Sequence, residues 1–241
     1  MSAASSAPHT PQPHGQQGLR IYDELIAVHA IMRRGAPLVT ASFARLAGGE
    51  PVDVKALVGT ARWLIEFVHH HHQSEDELFW PVLRDLFPAA VGELDRLTRE
   101  HEALDAELET LSAAVDAIAA PASRADRAKM LEIVGRAALT ALPSAERVDT
   151  ILTAHLDEEE PVLLDLFPQV PDEDIVRLRK AIVRGAPRTG PHLVLGLMED
   201  PDQAQGYAHM MSNFPAPVRW LKPVLLGRYR ATKRALGEPA A

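Results

Sequence analysis

Four long stretches of this chain, 20–47, 53–87, 91–119 and 144–167, repeat apolar residues at intervals of three and four, a period that confines them to helices with one buried face. A fifth stretch, 124–142, stops at Pro143 and is either a separate helix or an early part of the fourth. Gly48-Gly49, Pro88 and Pro121 mark the places where helices should end. Abundant alanine and leucine with only 5% aromatics also favour helix over sheet, so the fold class is all-α. From Pro171 the pattern is more broken and resumes over 172–184, 200–212 and 217–234. The expected organisation is a Ser/Pro/Gly/Gln-rich flexible leader over 1–18, a helical domain over 19–170, and a helical C-terminal extension over 171–241.

Composition narrows the chemistry. The chain has no cysteine, which excludes disulfides, thiolate zinc sites, iron–sulfur clusters and cysteine nucleophiles, and fits a cytoplasmic protein. A formal charge of -8 argues against nucleic acid as a partner. No run approaches the roughly 18 apolar residues of a membrane-spanning helix.

The string HHHHQSEDE at 69–77 offers four histidines and several acids, and not all of them can face inward. With His71 as origin and about 100° per residue, Leu64, Phe67, Val68, Leu78 and Val82 fall within roughly 60° of it, and Glu75 follows one turn on. His70 and His72 then lie about 100° to either side and His69 nearly opposite, which assigns all three to solvated helix surface. The same geometry recurs around His155: Val148, Ile151, Leu152, Val162 and Leu166 flank it, and Glu159 sits one turn on. The two halves share a string, PVLRDLFP at 81–88 and PVLLDLFP at 161–168, at an offset of 80, whereas the His-x3-Glu pairs repeat at 84.

Two helices therefore bury a His-x3-Glu pair, and the other two each bring one histidine to an apolar face. His29 lies among Tyr22, Leu25, Ile26 and Met32, and His101 among Leu94, Leu97, Leu104 and Leu108. A lone histidine in such a place is more often a satisfied core residue. Four of them, with two glutamates at matching spacing, point instead to metal, because a buried carboxylate needs a cation or a hydrogen-bond network. The candidate ligands are His29, His71, Glu75, His101, His155 and Glu159, a set that suits a pair of mid-row ions bridged by the acids. His192 and His209 have no acid at helical spacing, and His9 and His14 lie in the leader, so these four stay outside the set.

One His, then HxxxE, then one His, then HxxxE is the motif order of the haemerythrin-like (HHE cation-binding) family, which this chain resembles over about 20–168. The local strings VHAIMRR, HQSEDELFWPVL, REHEALDAEL and HLDEEEPVLL carry the likeness. The resemblance implies an antiparallel four-helix bundle holding two iron ions, oxo- or hydroxo-bridged, with zinc as a possible competitor. Two departures matter. Oxygen carriers of the family have a fifth histidine one turn after the helix-three histidine, where this chain has Asp105; its inward angle reads as a ligand or a partner of one, with a plain surface acid as the third reading. The carriers' last acid lies five residues after its histidine, which is Glu160 here, but that residue points about 140° away and the helical face favours Glu159. Arg33, one turn beyond His29, also points inward, toward a site carboxylate.

The function this implies is a di-iron protein that binds or senses a small oxidant (dioxygen, nitric oxide or peroxide). The alternative is a peroxide-consuming, catalase-like enzyme in oxidative stress or iron homeostasis, favoured if Asp105 is a hard oxygen ligand. An iron-buffering protein and a metal-free scaffold are the remaining readings. Residues 217–234 hold six basic residues and no acid, with Trp220, Leu221, Val224, Leu225 and Tyr229 between them. They either touch an acidic protein or a membrane surface, or pack their apolar side on the bundle, the second being the more ordinary outcome.

Overall fold

The computed structural model describes residues 15–119 and 127–238; most of the leader, with His9 and His14, and the boundary at Pro121 lie outside the described residues. Five helices build the bundle: α1 (Gln16–Ala47), α2 (Val54–Ser74), α3 (Trp80–Leu86), α4 (Val91–Ala119) and α5 (Arg127–Leu166). No strand occurs among the described residues. Helix α1 packs on α5, α5 on α4, α4 on α2, and α2 on α1, which closes an antiparallel four-helix ring with α3 continuing α2. The stretch before Pro143 is part of the fourth bundle helix, since α5 runs through that proline without a break.

Local chemistry accounts for the ends. Asp53 caps α2, its carboxylate accepting from the Ala56 N–H at 2.9 Å. Gly49 at φ 80° takes the left-handed turn after α1. The expected helix over 53–87 is not uniform: Glu75–Phe79 form a π-helical turn, in which the Trp80 N–H reaches the Glu75 carbonyl five residues back. Pro81 follows at once. A proline inside a helix withholds its N–H and crowds the carbonyl four residues back, and one widened turn relieves both.

That turn rephases the buried stripe. Upstream, Leu57, Ala61, Leu64, Ile65 and Val68 are buried; downstream the buried residues are Phe79, Trp80 and Leu83, while Leu78 and Val82, placed in the core by an ideal period, are only half-buried. The apolar core falls into two clusters. One gathers Ile31, Met32, Phe43, Leu64, Leu108 and Leu152; the other gathers Tyr22, Trp80, Leu83, Leu97, Leu163 and Phe167. The buried histidines and glutamates belong to neither.

The C-terminal part forms α6 (Asp172–Gly185), α7 (Pro191–Glu199), α8 (Tyr207–Asn213), α9 (Ala216–Trp220) and α10 (Lys222–Ala235). The helix expected over 200–212 is displaced: helix occupies 191–199 and 207–213, separated by a turn that holds Pro201 and Gly206. Helix α7 packs on α1 and carries α10 in turn, so Leu193, Leu195, Leu197, Tyr229 and Leu236 join the larger core cluster. The α7–α10 contact depends on a missing side chain. A Cβ at Gly196 would lie 2.0 Å from the Tyr229 ring. Gly196→Ala is expected to cost about 1–3 kcal/mol, as overpacking does, and to raise amide exchange in α10 before the bundle helices.

Candidate metal centre

The two His-x3-Glu pairs and the two lone histidines meet in one buried layer. His29, His71, Glu75 and Glu159 offer ligand atoms that all lie within 4.8 Å of one another, and His72, His101 and His155 form a second such group. The carboxylates reach both. One Glu75 oxygen approaches His71 Nε2 at 3.2 Å and the other approaches His101 Nε2 at 3.6 Å. One oxygen of Glu159 lies 3.5 Å from His29 Nε2 and 3.6 Å from His155 Nε2. All six residues expected from the sequence are therefore brought together.

The seventh is a correction. His72, assigned to the solvated surface by its angle from His71, is 1% exposed and stacks on His101 with ring centroids 4.3 Å apart. The error is one of phase. Leu78 lies within the π-turn and Val82 beyond it, and counting them drew the stripe toward His71. The upstream stripe alone centres between His71 and His72, so both rings point inward. His69 and His70 are half-buried and belong to neither group.

The polar atoms show what the layer lacks. Nε2 of His29, His71 and His72 and both oxygens of Glu75 and of Glu159 have no hydrogen-bond partner. Nδ1 of four histidines faces a carboxylate: His29 faces Glu160 at 3.0 Å, His72 Asp105 at 2.9 Å, His101 Asp76 at 3.2 Å and His155 Glu100 at 3.0 Å. A carboxylate accepts, so each Nδ1 donates, and in the neutral ring Nε2 then keeps its lone pair. The Nε2 atoms of His101 and His155 face each other at 3.1 Å. Lone pairs beside two buried carboxylates call for cations or for hydrogen-bond donors, which an apolar core does not supply.

The electrostatics agree. Burial, then the neighbouring Glu159, pushes the Glu75 carboxyl well above its ordinary range. Burial, then the surrounding histidines, pulls His71 well below its ordinary value, and burial takes His72 down to about 4 against the opposing pull of Asp105. Around the rim the balance reverses. Burial raises the Glu160, Asp105 and Glu100 carboxyls, but their histidines, with Arg33 beside Glu160 and Arg96 beside Glu100, hold each below its usual value.

Three expectations are thereby sharpened. Asp105 is a hydrogen-bonding partner of His72, in neither ligand group. Glu159 is the buried acid of α5, while Glu160 turns to His29. Arg33 pairs with Glu160 at 3.1 Å and Asp157 at 2.8 Å, so it supports a rim acid and touches neither buried glutamate. Asp76 and Glu100 went unnoticed in the sequence, and Glu160 was weighed there only as a ligand; Asp76 and Glu160 each directly follow a buried glutamate and bond the lone histidine of a neighbouring helix, and Glu100 bonds His155. Asp105→Ala is expected to weaken metal binding about 10- to 100-fold, as loss of an outer hydrogen bond to a ligand histidine does. Competition with a chelator would measure it, and unchanged affinity would remove Asp105 from any role at the site.

A family model, Hemerythrin HHE cation binding domain, matches residues 20–168. No curated protein and no solved structure matches the chain.

Proposed function

This chain belongs to the haemerythrin HHE cation-binding family, and from that premise we propose that it is a non-haem di-iron protein that binds or senses a small oxidant such as dioxygen, nitric oxide or peroxide. The observation that carries the reading is the convergence of unpartnered Nε2 atoms and carboxylate oxygens in one buried layer. His72, His101 and His155 would hold one ion and His29 and His71 the other, with Glu75 and Glu159 shared. Imidazole and carboxylate in this mixture suit iron, with zinc the competitor.

The chain's own residues supply three things. The rim acids Glu160, Asp105, Asp76 and Glu100 hold the Nδ1 protons and so fix the ligand tautomers. The two apolar clusters on either side of the layer keep bulk water out. The division of five imidazoles into three and two makes the ends unequal, and His71, at the end with fewer donors, is the most exposed of the seven at 7%. That end favours small-ligand access. Two iron ions bound here would supply a change of oxidation state and a coordination position for the small molecule.

Binding or sensing is preferred to peroxide consumption for a specific reason. The enzyme alternative drew on Asp105 as a hard oxygen ligand, and Asp105 is engaged with His72 instead. The fifth histidine missing from α4 is supplied by α2. The test is expression with supplied iron, elemental analysis, and optical spectra with dioxygen, nitric oxide and peroxide. About two irons per chain and a reversible spectral change with dioxygen or nitric oxide are expected. Zinc alone or no metal in iron-replete protein would remove the di-iron reading, and rapid peroxide turnover would establish the enzyme alternative.

A further inference from the structure

Residues 217–234 concentrate six cations and no acid in a chain whose formal charge is -8. They form most of α9 and α10, with Leu221 alone between the two helices. One face does pack on the protein: Tyr229 is buried, and Leu225 and Leu226 are half-buried against the main cluster. The other face does not. Trp220 is 80% exposed, Val224 67% and Leu221 52%. With Pro217 and Arg228 these residues recur at helical spacing along one outer side. A Cβ at Gly227 would meet nothing, so this side is open rather than a groove.

The charges around it are uncommitted. Lys222 and Lys233 are taken by Glu199 and Asp200. Among the described residues, Arg219, Arg228, Arg230 and Arg234 make no ion pair, and all four are exposed. We propose that this face docks on an anionic lipid surface, with Trp220, Leu221 and Val224 entering the headgroup region and Arg219 and Arg228 meeting lipid phosphates. An indole with one apolar side and one donor prefers that depth, and a basic amphipathic helix lies in the plane of such a surface. A wedge of three apolar side chains is too small to anchor irreversibly, so attachment is reversible and depends on charge. A second copy fits less well, because a two-fold contact through this face would set arginine against arginine.

The full iron-loaded chain would be floated with vesicles of phosphatidylcholine alone and of phosphatidylcholine with phosphatidylglycerol. Binding is expected only to the second kind, with release as salt rises. Since Trp63 and Trp80 are buried, a blue shift of tryptophan emission on binding reports Trp220, and Trp220→Ser should abolish both the shift and most of the binding. Each surface arginine contributes about fivefold, so Arg219→Gln with Arg228→Gln should weaken binding about 25-fold. Metal content should be unchanged in all variants, and the metal-free chain should bind equally. No flotation with phosphatidylglycerol at low salt would overturn the proposal, as would variants that float like the parent. Two other results would also overturn it: a lipid-free dimer that Trp220→Ser dissolves, or binding to polyglutamate without binding to vesicles.

Discussion

His72→Ala is expected to lower the iron of the loaded protein from about two ions per chain to about one, while His70→Ala keeps both. His72 is one of only three imidazoles at its end of the layer, and its Nε2 has no other partner. Its loss would also leave Asp105 without one of its two histidines, the other being His69 at 3.1 Å. The ideal helical angle from His71 leads to the opposite expectation, a silent substitution. Elemental analysis of the two variants decides between them. Equal metal in the His72→Ala and parent proteins would return His72 to a packing role.

Glu75→Gln should stabilise the metal-free protein while disabling the site. Both Glu75 oxygens are buried without a partner, with Glu159 beside them. Removing one of two adjacent buried carboxylates relieves desolvation and mutual repulsion, and the amide keeps the shape. A gain on the order of 2–3 kcal/mol is expected in chelator-treated protein. Metal affinity should fall by more than about 100-fold, beyond the cost of losing an outer hydrogen bond, because both ions lose a shared donor. Chemical denaturation with and without metal reads both effects. A variant less stable than the parent in the absence of metal would show that the layer is held by hydrogen bonds rather than waiting for cations.

The long helices and six of the seven converging residues were legible because a helical period survives wherever the helix is regular. His71 with Glu75 and His155 with Glu159 are each one α-turn apart, and nothing intervenes to disturb the angle. His72 was missed because the π-turn over 75–79 breaks that arithmetic. A trace of it does lie in the sequence. The repeat runs at 84 up to Glu75 and Glu159 but at 80 from Pro81 and Pro161, so the first half carries four more residues in the interval where the wide turn sits. The same repeat pairs His72 with Leu156, which is fully buried. Asp105 was read from its angle as a ligand or a partner of one, but the partners of the other rim acids were illegible for a different reason. Asp76, Glu100 and Glu160 are ordinary half-exposed helix acids, and only the neighbouring helix shows which nitrogen each one meets. In the C-terminal part, Pro201 and Gly206 broke the period, and the helix boundaries moved with them.

The four ring seams are not equally fastened. Asp105 and Asp76 tie α2 and its continuation to α4, Glu100 ties α4 to α5, and Glu160 ties α5 to α1. Between α1 and α2, among the described residues, no side-chain hydrogen bond or ion pair crosses. This seam holds His29 against His71, with ring centroids 5.0 Å apart, at the end of the layer with fewer donors. It is covered from outside by α7: Leu197 lies beside Gly35, Trp63 packs against Gly190 at the start of α7, and Arg34 donates to the Leu197 carbonyl at 2.9 Å and Trp63 Nε1 to the Thr189 carbonyl at 3.4 Å. Breathing of the bundle should therefore concentrate along α1 and α2, at a rate set by how firmly α7 is seated. The C-terminal helices, which contribute none of the seven converging residues, would in that way govern how quickly a small molecule of the kind proposed reaches His71.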